Sequence, residues 1–186
     1  MNRFTIFDTP LAGLRMVERK RLGDNRGYLS RLFCSKELEV AGWRKPIAQI
    51  NHTYTAMCGT VRGIHFQYPP HAEMKLVSCL RGKIWDVVVD LRSGSDTLFR
   101  WHGEELSADN CRGLIIPEGF AHGFQALTDD VELLYCHSAT YHAESEAGLH
   151  PQDSILAINW PLEITELSSR DAHHPMIDHD FPGITL

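Results

Sequence analysis

Arg62-Gly63-Ile64-His65-Phe66-Gln67, followed ten residues after the histidine by Lys75, sets one imidazole and one ammonium inside runs that read as β-strand. Histidine takes up and releases protons near neutral pH. A lysine held nearby can stabilise the oxyanion that develops when a proton leaves a carbon beside a carbonyl. Base plus oxyanion holder is the least equipment for such a proton abstraction. The same two residues also fit a satisfied structural histidine and a surface lysine, and the choice falls to the rest of the chain.

The elements around the pair are mostly strands. Lys75–Leu80 and Lys83–Leu91 flank Arg81-Gly82 and read as two strands joined by a tight turn. In the second, Trp85, Val87, Val89 and Leu91 share one face and Asp86 and Asp90 the other. Periodicity leaves open whether the carboxylates face inward, as a site, or outward into solvent. Further strands are expected at Ala48–Asn51, Thr60–Phe66, Gly113–Ile116, Gly123–Leu127 and Val131–His137. Turn signals at Asp24–Gly27, Tyr68–Pro70, Ser93–Asp96, Pro117–Gly119 and Thr128–Asp130 punctuate them, a pattern that predicts an all-β antiparallel sandwich or barrel. One helix is expected from a Ser35 cap to Gly42, with Leu38 and Ala41 on one face. Ser168-Ser169-Arg170-Asp171 can start a short helical turn, and an irregular, loosely ordered tail is expected from about residue 172. Without repeats, low-complexity tracts or linkers, residues 1–186 read as a single domain.

The 186 residues are 43% hydrophobic and 23% charged, enough for a substantial core, and carry a formal net charge of −6. That balance argues against nucleic acid as a partner, since a binder would show a basic stripe. Cys34, Cys58, Cys79, Cys111 and Cys136 are widely spaced, without a C-x-x-C pair and several inside apolar runs, and read as buried free thiols in a reducing compartment. Met1–Gly13 shows no secretory leader, and no apolar run reaches membrane-spanning length. A cytoplasmic protein with no membrane partner is the expectation.

Gly59 with His65 six residues on, and later Pro117-Glu118-Gly119-Phe120-Ala121-His122, resemble the two short motifs of the cupin superfamily of small β-barrels. Many members bind a metal through H-x-H, a glutamate and a later histidine. Here Gln67 stands at the second histidine's place, and glutamine is a poor ligand for transition metals. A metal-dependent cupin enzyme using His65, Glu73 and His122 is thus the alternative reading. His142, His173, His174 and His179 lie in polar surroundings and read as surface residues.

The resemblance extends further. Asp24-x-Arg26-Gly27, Gln49-x-Asn51, Gly59-Thr-Val-Arg62-Gly63-Ile-His65-Phe-Gln67 and Lys75-Leu-Val occur in order. They are followed by Gly82-x-x-x-Asp86-Val-Val-Val-Asp90-Leu-Arg92 and Pro117-x-Gly119-Phe-Ala-His122-Gly-Phe124. Tyr135, Tyr141, Trp160-Pro161 and Leu167-Ser168-x-x-Asp171 complete a set that covers about residues 5 to 175. The ordered set resembles the dTDP-4-dehydrorhamnose 3,5-epimerase family of nucleotide-sugar enzymes.

That resemblance implies a cupin-type jelly-roll barrel, a homodimer, and action without metal or organic cofactor on a dTDP-4-keto-6-deoxyhexose. It implies His65 as the base, Asp171 as the carboxylate orienting it, Lys75 as the enolate holder, and Tyr135 as the acid on the opposite face. It further implies Arg26, Gln49, Asn51, Arg62, His122 and Tyr141 as residues lining the nucleotide-sugar pocket. Chemistry supports the set independently: inverting a carbon beside a ketone needs a base on one face, an acid on the other, and a held enolate between them. Arginines suit a diphosphate through bidentate hydrogen bonds. Arg31 and Glu73 stand where many members have glutamate and glutamine, the Gln49–His65 segment is one residue longer, and Pro151-Gln152-Asp153-Ser154 replaces a Trp-Asn-Asp-Pro segment. None removes a proposed chemical group. A non-catalytic sugar-nucleotide binding module is the third class, disfavoured by intact His65, Lys75, Tyr135 and Asp171.

Overall fold

Strand and turn alternate along the chain and fold back into two antiparallel sheets, seen in a computed structural model that describes residues 2–178 and 180–186. In spatial order the first sheet holds β1 (Phe4–Asp8), β2 (Arg15–Arg19), β10 (Arg112–Ile116), β7 (Lys75–Arg81), β12 (Val131–His137) and β5 (Gln49–Thr55). The second holds β13 (Glu146–Gly148), β6 (Val61–Gln67), β11 (Phe120–Ala126), β8 (Lys83–Asp90) and β9 (Trp101–Ser107). A separate hairpin, β3 (Arg21–Asp24) with β4 (Gly27–Ser30), projects with its side chains largely exposed. This is the expected all-β jelly roll.

The inner faces meet in one apolar cluster. Val77, Leu114, Leu133 and Tyr135 come from the first sheet, and Ile84, Val88, Leu106, Phe120 and Phe124 from the second. The second sheet is apolar on its outer face as well. Ile64, Phe66, Val87, Val89, Leu91 and Ala121 lie under Leu149, Leu156, Ile177 and Ile184 from the C-terminal part of the chain. Burial on both faces explains the continuous Val87-Val88-Val89 run in β8. It also answers the question periodicity left open: Asp86 and Asp90 are both fully buried.

The helix forms where expected but differently capped. Ser35 is its first helical residue, in α1 (Ser35–Leu38), and Cys34 is the N-cap, without a side-chain capping bond. A 3₁₀ turn over Glu39–Ala41 follows and ends at Gly42 in the left-handed region (φ 96°). Leu38 and Ala41 are buried against Trp43, Met74, Leu76 and Ile115. The strand expected from Gly123 begins at Phe120, because Pro117-Glu118-Gly119 alone completes the turn. The tail beyond residue 172 is irregular, yet not loose. Ile184 is buried, its amide donates to the Leu91 carbonyl (2.6 Å), and its carbonyl accepts from the Ser93 amide (2.9 Å).

Two local features hold the site end of the second sheet. Gly63 has φ +109°, and a Cβ there would stand 2.6 Å from the Gly123 Cα and 2.7 Å from the His122 carbonyl oxygen. Without a side chain at Gly63, β6 and β11 approach closely, and a register shift follows between His122 and Phe124 with His122 opposite His65. Asp90, at the end of β8, accepts from the Arg92 amide (3.0 Å), Arg92 Nε (2.9 Å) and Nη2 (2.7 Å), and from Ser95 Oγ and Thr97 Oγ1 (both 2.6 Å).

Gly63→Ala should destabilise the fold by at least about 2 kcal/mol in urea unfolding, because both the backbone region and the space exclude a Cβ. Burial alone would raise the Asp90 carboxyl, but the Arg92, Ser95 and Thr97 bonds hold it down to about 2, against an ordinary 3.8. A depressed folded-state value stabilises above the ordinary one, and that stability is lost as pH falls from 3.8 through about 2. Asp90→Asn should therefore cost about 2 kcal/mol at neutral pH, with the gap to wild type closing as the pH approaches 2. An unchanging gap across that range would refute the assignment.

Candidate active site

Between the sheets, bordering the apolar cluster at Phe124 and Tyr135, a cavity of about 260 Å³ opens to solvent. Its first wall comes from β5 and the neighbouring strands. In β5 the alternation is inverted: polar Gln49, Asn51 and Thr53 line the cavity, and Ile50, His52 and Tyr54 face outward. Lys75 on β7 and Tyr135 and His137 on β12 complete that wall, with Glu73 just ahead of β7. The second sheet supplies Arg62, His65 and Gln67 from β6, His122 and Phe124 from β11, and Glu146 from β13. Tyr141 and Arg170 stand at the mouth, and Arg170 lies in the helix α2 (Ser169–Ala172).

His65 Nε2 lies 2.7 Å from Asp171 Oδ1. Asp171 sits in α2, capped by Ser168, whose Oγ accepts from the Asp171 amide (3.0 Å). The other carboxylate oxygen accepts from the Gly63 amide at 3.2 Å. Burial pushes the Asp171 carboxyl up, but the His65 bond and charge and the Gly63 amide outweigh it, so the net shift is downward. Arg170 Nη2 also comes within 3.3 Å of His65 Nε2. Both contacts cannot be hydrogen bonds at once, since arginine only donates and Nε2 carries either a proton or a lone pair. The shorter, charge-assisted bond to Asp171 prevails. Nε2 then donates to the carboxylate, and Nδ1 keeps the lone pair that a base requires.

Across the cavity, burial and the nearby Asp86 charge push the Tyr135 phenol far above its ordinary value, so it remains a neutral proton donor. Its ring meets His122 edge-on (5.9 Å between centroids) and lies along His137 (5.9 Å, planes at 25°). His122 Nε2 is 2.8 Å from Asp86 Oδ1, and burial raises the Asp86 carboxyl in spite of that imidazole. Lys75 Nζ is 3.2 Å from Glu73 Oε1 and 3.5 Å from the His65 carbonyl oxygen. Burial raises the Glu73 carboxyl, yet the His137 bond and the Lys75 charge outweigh it and hold it below its usual range. Arg62 donates to the Tyr54 carbonyl (3.2 Å) and is an exposed residue.

Of the expected residues, His65, Lys75, Tyr135, Gln49, Asn51, Arg62, His122 and Tyr141 all line this cavity, and Asp171 stands directly behind His65. Arg26 does not. It pairs with Asp24 (2.6 Å) at the turn of the β3–β4 hairpin, its side chain 90% exposed and outside the cavity lining. His137, Glu146 and Arg170 belong to the cavity and were not anticipated. For His137 a signal existed, since it lies two residues from Tyr135 in a strand and so shares its face. Glu146 and Arg170 carry no such signal.

The late histidines divide. His173 is exposed, while His142 stacks on His71 with ring centroids 3.8 Å apart. His174 is not a surface residue: its side chain is 15% exposed and its ring meets His65 edge-on at 5.4 Å, in space left by Gly148. His179 lies outside the described residues. Gln67, at the place of a cupin metal ligand, is a latch. It donates to the His71 and Thr140 carbonyls (2.9 and 3.3 Å) and accepts from the His142 amide (2.6 Å). The alternative metal set is committed elsewhere: His65 to Asp171, Glu73 to Lys75 and His137, and His122 to Asp86. His65, Asp171 and His174 do bring ligating atoms within 4.8 Å of one another, but the Arg170 guanidinium at 3.3 Å opposes a further cation there.

A family model described as dTDP-4-dehydrorhamnose 3,5-epimerase matches residues 8–179. A dTDP-4-dehydrorhamnose 3,5-epimerase of Sinorhizobium fredii is 40% identical over 168 residues, covering 90% of this chain and 86% of that protein. The crystal structure of a dTDP-4-dehydrorhamnose 3,5-epimerase from Bacillus anthracis, with TDP and PPi bound, superposes with a TM-score of 0.90 at 38% identity over 94% of this chain and 99% of that one. A dTDP-6-deoxy-D-glucose-3,5-epimerase from Legionella pneumophila, in complex with dTDP-4-keto-L-rhamnose, gives a TM-score of 0.90 at 38% identity, covering 97% of this chain and 98% of that one. With a family match over nearly its whole length, a relative at 40% identity and a superposition at a TM-score of 0.90, this chain belongs to the dTDP-4-dehydrorhamnose 3,5-epimerase family of isomerases.

Proposed function

We propose that the protein epimerises a nucleotide-linked 4-keto-6-deoxyhexose, inverting C3, C5 or both in a dTDP-sugar without metal or organic cofactor, in deoxysugar and polysaccharide biosynthesis. The observation that carries this reading is the pairing of His65, backed by Asp171 on one sheet, with Tyr135 and Lys75 on the facing sheet. A sugar lying between them meets a base on one face and an acid on the other.

Each step of the proposed reaction is assigned to one group of the cavity. Asp171 fixes the His65 tautomer, so Nδ1 removes the proton beside the ketone, and the same carboxylate stabilises the imidazolium that forms. The electron pair moves to the keto oxygen, where the Lys75 ammonium meets the new charge. Tyr135, kept neutral by burial, delivers a proton to the opposite face, and the configuration inverts. Arg62 and Arg170 suit the diphosphate, whereas Gln49, Asn51 and His122 offer hydrogen bonds to sugar and base, and Tyr141 an aromatic face at the mouth. The ligands that the Bacillus and Legionella relatives hold support a dTDP-sugar as the substrate class.

A homodimer belongs to the same reading. The projecting β3–β4 hairpin exposes Leu22, Tyr28 and Leu29, and the outer face of β5, an edge strand, exposes Ile50 and Tyr54. Docking the hairpin on a second copy would cover apolar surface and let Arg26 act at a cavity other than its own. No helix among the described residues is long and apolar enough to cross a membrane. The five free cysteines fit a reducing compartment, and a cytoplasmic place is part of the proposal.

Incubation with dTDP-4-keto-6-deoxyglucose in deuterated water should place deuterium at C3, C5 or both; no uptake at either carbon would refute the dTDP-sugar reading. His65→Asn and Lys75→Ala should abolish exchange in folded protein, the lysine loss alone amounting to about 3–4 kcal/mol of barrier. Tyr135→Phe should still exchange the proton on the His65 face but slow inversion by roughly 10²–10⁴-fold. Sedimentation should give twice the chain mass, and Arg26→Ala should weaken substrate binding in that dimer; a monomer with full activity would sink the dimer assignment.

A further inference from the structure

Glu73, Lys75 and His137 form a buried cluster on the first sheet, facing the cavity. Glu73 divides its carboxylate, with Oε1 3.2 Å from Lys75 Nζ and Oε2 3.0 Å from His137 Nδ1. On the far side of the imidazole, Asn51 Nδ2 approaches His137 Nε2 at 3.5 Å. Asn51 Oδ1 accepts from Gln49 Nε2 (3.0 Å), and Gln49 Oε1 accepts from the Tyr141 amide (3.0 Å). Every donor in this chain points towards Glu73, an order that fits a neutral His137 with its proton on Nδ1.

The charge at this wall depends on His137. With a neutral imidazole, the Lys75 ammonium and the Glu73 carboxylate sum to zero, and the ammonium's attraction for a new anion is largely cancelled by a neighbour 3.2 Å away. With His137 protonated, two cations share one carboxylate and the wall carries a net positive charge. An enolate forming beside Lys75 is held only weakly by the first state and well by the second.

We propose that His137 is a positioning residue that acts through Glu73 on Lys75: protonated, it draws on the shared carboxylate and leaves the ammonium with net charge for the enolate. The inference rests on the epimerase reading above. Before the chemical step His137 takes a second proton from solvent on Nε2, and the 3.5 Å contact to Asn51 is the one that gives way. The carbon–hydrogen bond then breaks, its proton going to His65 Nδ1 and its electron pair to the keto oxygen. Around His137, Glu73 and Lys75 come from the β7 side, the neutral Tyr135 phenol from its own strand, and uncharged Gln49 and Asn51 from β5. Arg62, His65 and His122 stand on the facing sheet, and Tyr141, Glu146 and Arg170 line the same cavity.

The sign of the pH dependence follows. His65 must be unprotonated, so the rate falls towards acid; His137 must be protonated, so it falls again as pH rises through the His137 titration. Exchange into dTDP-4-keto-6-deoxyglucose, resolved into kcat and KM across pH, tests this in wild type, His137→Gln and Glu73→Gln. His137→Gln should lower kcat by roughly 10- to 100-fold with KM nearly unchanged, and should flatten the alkaline limb. Glu73→Gln removes the cancelling charge and should exceed wild type on the alkaline side by roughly tenfold. A merely structural role predicts the reverse, a Glu73→Gln enzyme slower at every pH, and that result or an intact alkaline limb in His137→Gln overturns the proposal. If His137→Gln does not fold, Glu73→Gln decides alone. Wild-type protein without exchange would overturn the epimerase reading and this inference together, whereas an active wild type with a uniformly slow Glu73→Gln overturns only the inference.

Discussion

The 2.7 Å bond between His65 and Asp171 joins two residues 106 apart in the chain, and much of the architecture is arranged so that it can form. Asp171 belongs to a helix of only four residues, too short to be stable by itself. Ser168 caps it, and the Gly63 amide holds the second carboxylate oxygen. Gly63 itself is held where β6 and β11 close on each other, with no room for a side chain. The C-terminal stretch that carries α2 is in turn pressed on the second sheet by Leu149, Leu156, Ile177 and Ile184. A tertiary apolar contact therefore helps to orient an imidazole that lines the cavity.

Buried charge sets the second constraint. Carboxylates out of water are tolerated only with partners: buried Asp153 accepts from the Ile155, Leu156 and Ile177 amides, and four others are met by side chains. Asp90 is satisfied by Arg92, Ser95 and Thr97 at the end of a strand and acts on the fold. Asp86, Glu73 and Asp171 each face a histidine around the cavity. The interior between the sheets is thus divided into an apolar half that holds them together and a polar half in which protons can be held at defined atoms. β5 shows the division most plainly, with its polar residues inside and its apolar ones in contact with solvent.

Much of this was legible in the sequence. The strand Val131–His137 has the bounds that alternation predicts, and the turn at Arg81-Gly82 lies between two strands as expected. Short or mixed strands such as β1, β2, β9 and β13 were not, because three to seven half-exposed residues leave little periodic signal. Nor was the fastening of Ile184 under β8, which depends on a parallel bridge to Arg92 about ninety residues away. Among site residues, motif order brought out His65, Lys75, Tyr135 and Asp171. His137 shares a face with Tyr135 and could have been added by alternation alone.

The sequence by itself determined the residue types, the strand periodicity and the punctuation, and these suffice for an antiparallel β fold with an imidazole, an ammonium and a phenol in its strands. Only the tertiary structure decided the partners. Alternation states which side chains share a face, not which sheet lies opposite, so the placement of Asp86 inside, of His174 behind His65, and of Glu73 between Lys75 and His137 had to await the packing of one sheet on the other. Arg26 marks the same boundary from the other side. Its type suits a diphosphate, but the hairpin that carries it projects away from the chain's own cavity. Proton chemistry depends on distances of a few ångströms between residues distant in sequence, and those distances are a property of the folded chain.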